Sequence, residues 1–193
     1  MSRAVSSILW SRRGSWSRRG LVAALALGLP GCGFRPLYAP ITAADGSEGD
    51  LRDELAAVRI GDLYDRSGQL LRRDLQRRFE GSRPGMAARY TLQVRVSYGS
   101  EVLGYRRDGT ITRLRTTATG GWTLSTLSVP PVQIAVSAIP YRTLDSFNVP
   151  DLQFFAADAA RDAMERRLVE QLSEEIYRQV AMELRRRKAT GAA

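Results

Sequence analysis

Residues 90–98 read Tyr-Thr-Leu-Gln-Val-Arg-Val-Ser-Tyr. Tyr90, Leu92, Val94, Val96 and Tyr98 alternate with Thr91, Gln93, Arg95 and Ser97, the period of a strand with one buried and one wet face. Such a strand belongs to an antiparallel sheet covered on one side. Arg107-Asp108-Gly109 follows, and Asp-Gly favours the tight turn that matches strand twist. The chain therefore returns over roughly Thr110 to Thr126, a Thr-rich stretch with Leu114, Trp122 and Leu124. Gly120-Gly121 inside it predicts a bulge or a loosened register. Pro130-Pro131 breaks the chain, after which Val132, Ile134, Val136 and Ala138 alternate as a further strand.

Outward from this hairpin, Leu55 to Leu63 reads as a first short strand, with Val58 and Ile60 alternating. Leu71, Leu75 and Phe79 recur every four residues beside Leu70 and predict a helix capped by Ser67 and closed by Gly81 and Pro84. Arg72, Arg73, Arg77 and Arg78 on its other faces are either an anion site or a solvated surface. From Phe154 to Lys188, residues Ala156, Ala160, Met164, Leu168, Leu172, Ile176, Val180 and Leu184 again recur every four, widened by Ala163 and Tyr177. Asp151 or a neighbour can cap the start of this last helix, after Pro150. Arg185, Arg186, Arg187 and Lys188 sit where the helix dipole favours cations. The order β-α-β-β-β-α implies an α+β two-layer sandwich. About four mostly antiparallel strands would carry two helices packed on one face, leaving the other face open.

The chain has 193 residues, 44% hydrophobic and 25% charged, with a net charge of +9, within the range of a globular protein. Five of its 29 basic residues (Arg3, Arg12, Arg13, Arg18 and Arg19) precede Cys32 and none of its 20 acids do. Beyond that point 24 bases face 20 acids, a net of +4, which permits an anionic partner without demanding one. The absence of histidine excludes imidazole metal sites and Ser-His-Asp triads. No glycine-rich phosphate loop is present. Asp158, Asp162 and Glu165 can share a helix face, but without histidine or further acids they argue for ion pairs with Arg161 and Arg166 rather than for a metal. The sequence reads as non-enzymatic, with no metal and no catalytic residue.

Residues 1–20 are Arg-rich and acid-free, and Leu21 to Leu29 is a nine-residue apolar run. A signal-peptide core needs ~7–15 residues and a membrane span ~20, so residues 1–31 read as an export signal, by the Sec route rather than through Arg18-Arg19. Leu29-Pro30-Gly31-Cys32 resembles a bacterial lipobox. Cys32 is the only cysteine, so no intramolecular disulfide is open to it. The resemblance implies cleavage before Cys32, a diacylglycerol thioether on its sulfur and an N-acyl chain on its amine. Those chains would be the only added groups, with no other cofactor. Gly33, rather than Asp, is compatible with the outer membrane. Residues 32–50, ending in a small, polar, Gly- and Pro-bearing stretch, read as anchor and tether, and 51–193 as a single domain.

Cys32-Gly33-Phe34-Arg35-Pro36-Leu37-Tyr38 resembles the mature start of alphaproteobacterial lipopolysaccharide-assembly lipoproteins, the LptE family. The stretch from Val136-Ser137-Ala138 through Ser146-Phe147, the Ala-rich helix with Glu174-Glu175-Ile176 and the element order are similar as well. The resemblance implies a single LptE-like α+β domain, anchored by lipid to the outer membrane on its periplasmic side. It implies a partner, the outer-membrane β-barrel LptD, whose lumen the domain helps assemble and plugs while assisting lipopolysaccharide to the outer leaflet. A polar, Arg- and Thr-rich surface suits a barrel lumen. The resemblance also implies lipopolysaccharide contact at a basic residue before the hairpin turn, here Arg107 with Arg106 beside it. A second basic position falls on Ala157, leaving Arg161 one turn further on as the substitute. The alternative for Arg106 and Arg107 is an ordinary solubilising tip. The alternative function is a periplasm-facing lipoprotein that binds a small ligand or cell-wall component without a barrel. Nucleic acid is not an expected partner.

Overall fold

The computed structural model describes residues 41–42, 48–49, 51–81 and 83–191. The chain runs β1 (Ile41–Thr42), β2 (Glu48–Gly49), α1 (Leu51–Ala56), β3 (Val58–Ile60), α2 (Arg66–Glu80), β4 (Tyr90–Tyr105), β5 (Ile111–Thr126), β6 (Gln133–Val136), β7 (Tyr141–Asn148) and α3 (Phe154–Ala189). β1 pairs antiparallel with β2, so the stretch read as a tether holds a short strand pairing. Five strands form the main sheet in the order β3-β4-β5-β6, with β7 on the same edge of β5 as β6. This is the expected α+β architecture, with a mostly antiparallel sheet and helices packed against it.

The hairpin read from 90–98 is the centre of that sheet. β4 and β5 pair without interruption from Tyr90↔Thr126 to Val102↔Leu114. Gly120 and Gly121 sit inside this regular ladder, so neither a bulge nor a loosened register occurs there. The irregularity falls between Val102 and Tyr105 instead. The two glycines answer to side chains: a Cβ on Gly120 would lie 2.6 Å from Leu172 Cδ1, and one on Gly121 3.2 Å from Ser137 Oγ.

Three expectations about the strands also change. The first strand shrinks to Val58–Ile60 because Leu51, Leu55 and Ala56 are buried on one face of α1. β3 also runs parallel to β4, with Val58↔Tyr90 and Ile60↔Leu92 in register. α2 spans the connection, as a parallel pair requires a crossover. Finally, a fifth strand, β7, stands where the sequence reading placed none.

The helices cover one face. α2 is capped by Asp65, not Ser67: its carboxylate accepts the Gly68 N–H at 2.6 Å, while Ser67 lies buried inside the helix. Gln153, not Asp151, precedes α3 and makes no side-chain cap. Leu71, Leu75 and Phe79 of α2 meet Leu172, Ile176, Val180 and Leu184 of α3 over Leu92, Val94, Trp122 and Leu124 of the sheet. Phe79 and Tyr177 stack edge to face at 4.9 Å. Met164, Leu168 and Ala118 form a smaller cluster with Phe147. At ~1.5–3 kcal/mol for each fully buried large apolar side chain, α3 is held from Met164 onward. Its first two turns contribute no fully buried residue.

Candidate functional site

The sheet end furthest from β3 carries the residues singled out as contacts. At the hairpin tip the Arg106 N–H donates to Thr110 O at 2.8 Å and the Gly109 N–H to Arg106 O at 3.0 Å. Gly109 takes φ +85°, the left-handed region where glycine carries no steric cost. The Asp108 carboxylate accepts from the Thr110 N–H at 3.0 Å and its hydroxyl at 2.7 Å, and these bonds hold its carboxyl below the usual range.

The two tip arginines differ. Arg106 folds back, donating from Nη1 to Thr110 Oγ1 and from Nη2 to the Val149 carbonyl, both at 3.2 Å. It is a strut between the hairpin and the segment entering α3. Arg107 is exposed and makes no hydrogen bond or ion pair among the described residues.

The segment that Arg106 braces is apolar and uncovered. Leu152 holds φ +54°, which costs roughly 1–2 kcal/mol for a residue with a Cβ. Leu152, Phe154 and Phe155 are 85%, 77% and 92% exposed. Sequence reasoning treated Phe154 only as a helix start; three large apolar residues within four positions after Pro150 were the available signal.

Arg161 lies on the same helix but at a different place. It lines a cavity of about 360 Å³ beneath α3, with Tyr98, Leu114, Phe147, Met164 and Leu168. Burial pushes the Tyr98 phenol up against the lowering effect of a bond with Ser67, and the Asp65 and Glu165 charges add to the rise. Leu114 pairs with Val102, three residues before β4 ends at Tyr105, roughly 10 Å along the strand, and Arg107 lies in the turn beyond. The structure therefore joins Arg106 to Arg107 at the tip and sets Arg161 apart at the cavity. Cys32 and the stretch before it, read as an export signal, lie outside the described residues.

Most members of the other charged runs are tied into the fold. On α2, Arg72 pairs with Asp62 at 2.9 Å and Arg78 with Asp74 at 3.0 Å, and Arg77 also reaches Asp74. At the end of α3, Arg186 pairs with Glu183 at 2.7 Å and Arg187 donates to Ile134 O at 3.0 Å. Asp162 pairs with Arg66 at 3.4 Å. Among the described residues no group of three or more acids or cysteines is placed to hold a metal, and no helix is long and apolar enough to cross a membrane.

Comparison with known proteins places this arrangement. No curated protein matches the sequence. A Caulobacter crescentus protein described as a lipoprotein superposes with TM-score 0.56 and 21% identity, over 69% of this chain and 95% of its own, which shows a shared fold. Rare lipoprotein B of Shewanella oneidensis aligns more loosely, with TM-score 0.47 and 11% identity over 65% and 92% of the two chains. The LptE family, described as lipopolysaccharide-assembly, matches residues 53–180, from α1 to well into α3 and short of the Cys32 motif. By a match over well more than half its length, the chain belongs to the LptE lipopolysaccharide-assembly family.

Proposed function

We propose that this protein is a non-enzymatic lipoprotein of the outer membrane, anchored through acyl chains on Cys32. In this reading it assembles with the LptD β-barrel, occupies its lumen and assists passage of lipopolysaccharide to the outer leaflet. The observation that carries the reading is the family match across residues 53–180. The hairpin tip supports it: Arg107 is an unpartnered guanidinium on a braced turn, and arginine's fork suits phosphate oxygens of the kind borne by lipid A. Arg106 positions that tip, and Arg161 is a separate candidate contact. Lipopolysaccharide and the barrel are the partners, and no nucleic acid is involved.

A ligand-binding lipoprotein independent of any barrel has one observation in its favour, the partly apolar cavity beside Arg161. Affinity purification of the tagged full-length protein from detergent-solubilised outer membranes separates the two. A large β-barrel protein in stoichiometric amount is the expected result. A lipidated monomer without a barrel would overturn the assembly reading and favour the cavity.

A further inference from the structure

The register of the sheet fixes a second surface. Residues directly opposite in antiparallel strands share a face. Arg95↔Gly121, Ser97↔Thr119↔Arg142, Glu101↔Arg115 and Arg113↔Asn148 therefore all point away from the helices. Among the described residues these rows carry four arginines against the single acid Glu101; a fifth, Arg59 opposite Thr91 on β3, is tied to Ala56 O and Glu80. Arg115 pairs with Glu101 at 2.8 Å and Arg113 donates to Ser146 Oγ at 2.8 Å. Arg95 and Arg142 are exposed and have no hydrogen bond or ion pair among the described residues.

The surface beside Arg95 is concave. Gly121 contributes no side chain opposite Arg95, and the gap forms a dish of about 330 Å³ rimmed by Arg95, Ser97, Thr119, Thr123, Ser137 and Pro140. Ser137 Oγ accepts the Trp122 N–H at 3.1 Å, which fixes one wall. Arg142 stands next to Thr119 on β7. β4 and β7 flank β5, so their backbones are roughly 10 Å apart, and the two guanidiniums can approach a ligand from opposite sides.

We propose that this dish binds a phosphorylated saccharide, with Arg95 and Arg142 holding phosphate oxygens and the Ser and Thr hydroxyls meeting sugar hydroxyls. The chemistry selects that class. Guanidinium forks match phosphate in a bidentate manner. A row of hydroxyls between two cations suits a polyol that carries negative charge at its edges. A partner docked through an apolar patch is disfavoured because such interfaces centre on aromatic or other apolar anchors, and among the described residues Leu144 and, at the rim, Val136 are the large aliphatic side chains in these outward rows. The proposal deepens the assembly reading and rests on it for the source of the saccharide, the phosphorylated core of lipopolysaccharide. It places that contact on the sheet face, away from Arg107 and Arg161.

The test is titration of the full-length lipidated protein in detergent with phosphorylated core oligosaccharide free of lipid A, with its phosphatase-treated counterpart, and with inorganic phosphate. Saturable binding is expected, weakened about tenfold or more by removing the phosphates and by Arg95→Ala or Arg142→Ala, as loss of a charge-assisted hydrogen bond implies. Arg73→Ala, an equally exposed change on α2, leaves it unaltered. Equal affinity for the dephosphorylated sugar, indifference to both arginine substitutions, or inorganic phosphate binding as tightly as the oligosaccharide would each overturn the site. Barrel recovery from the same preparations keeps the two readings apart. Undiminished barrel with no oligosaccharide bound defeats this site alone. Oligosaccharide held through Arg95 and Arg142 without a barrel supports the site and defeats the assembly reading.

Discussion

At Gly120 an added Cβ would lie 2.6 Å from Leu172 Cδ1 and 3.2 Å from its Cγ, and Leu172 is fully buried against α2 and the sheet. Propensity alone would make Gly120→Ala stabilising in a strand. Overpacking a filled core costs about 1–3 kcal/mol and should win, so chemical denaturation is expected to show a loss of that size. An unchanged midpoint would mean that Leu172 yields. Asp74 poses a question of charge. Burial pushes its carboxyl up, but bonds from Ser173 and Arg78 and the charges of Arg78 and Arg77 outweigh this and hold it below its ordinary value. A carboxyl depressed on folding contributes stability above its unfolded pKa and loses it as pH falls through the folded one. Asp74→Asn should therefore cost about 1–3 kcal/mol at pH 7. Urea unfolding at pH 7, 4 and 3 is expected to show the gap to the native protein narrowing with acid; a constant gap would mean the charge is irrelevant.

α3 divides at Met164. Leu168 is 1% exposed, and Leu168→Ala should cost about 2–5 kcal/mol. Phe154→Ser with Phe155→Ser should change stability by less than about 0.5 kcal/mol, as surface substitutions do. Thermal melts of both variants decide this, and a large loss in the double variant would mean those rings are covered. The helical stripe was legible because its period is long and its buried members apolar, yet the same stripe begins at Ala156, two turns before burial does. Periodicity reports a face without reporting how far the neighbouring sheet extends. β7 was not legible for the opposite reason. Its inward residues include Thr143 and Asp145, and they are satisfied from α3 by Gln171 and, at 2.7 Å, Arg167. Polar residues at inward positions erased the alternation that revealed β4. Val132 and Val136 fit the alternation read for β6 but are exposed: Val136 lies opposite Thr123 on the open face, and Val132 precedes the strand. The tip arginines are named by the family resemblance, with the Asp-Gly turn as its landmark. Which of them is a strut depends on the Val149 carbonyl, a contact across 43 residues that no local pattern encodes. The open face needed the cross-strand register, which the sequence leaves undetermined until β7 is found.

The domain and its proposed anchor make separable contributions to where the protein resides. Residues 53–180, matched by the family, contain most of the buried core, whereas Cys32 lies well before them in sequence. Replacing it should leave folding of the domain intact. One acyl chain holds a protein to a bilayer only marginally, while two or more hold it firmly. Cys32→Ser should thus abolish incorporation of a palmitate label and, where no second attachment exists, shift the protein from the membrane to the soluble periplasmic fraction, with its melting temperature unchanged. That shift is complete only if the anchor is the sole attachment. A barrel partner supplies a second, and two linked attachments retain a protein far better than either alone. The informative comparison is therefore Cys32→Ser in cells with normal and with depleted barrel. Retention in the membrane with the barrel present and release on depletion is the outcome expected if the domain sits in the barrel by its own contacts. Release in both would mean that the lipid does the holding and that the domain's affinity for the barrel is weak. Unlabelled wild-type protein would instead remove Cys32 from the account altogether.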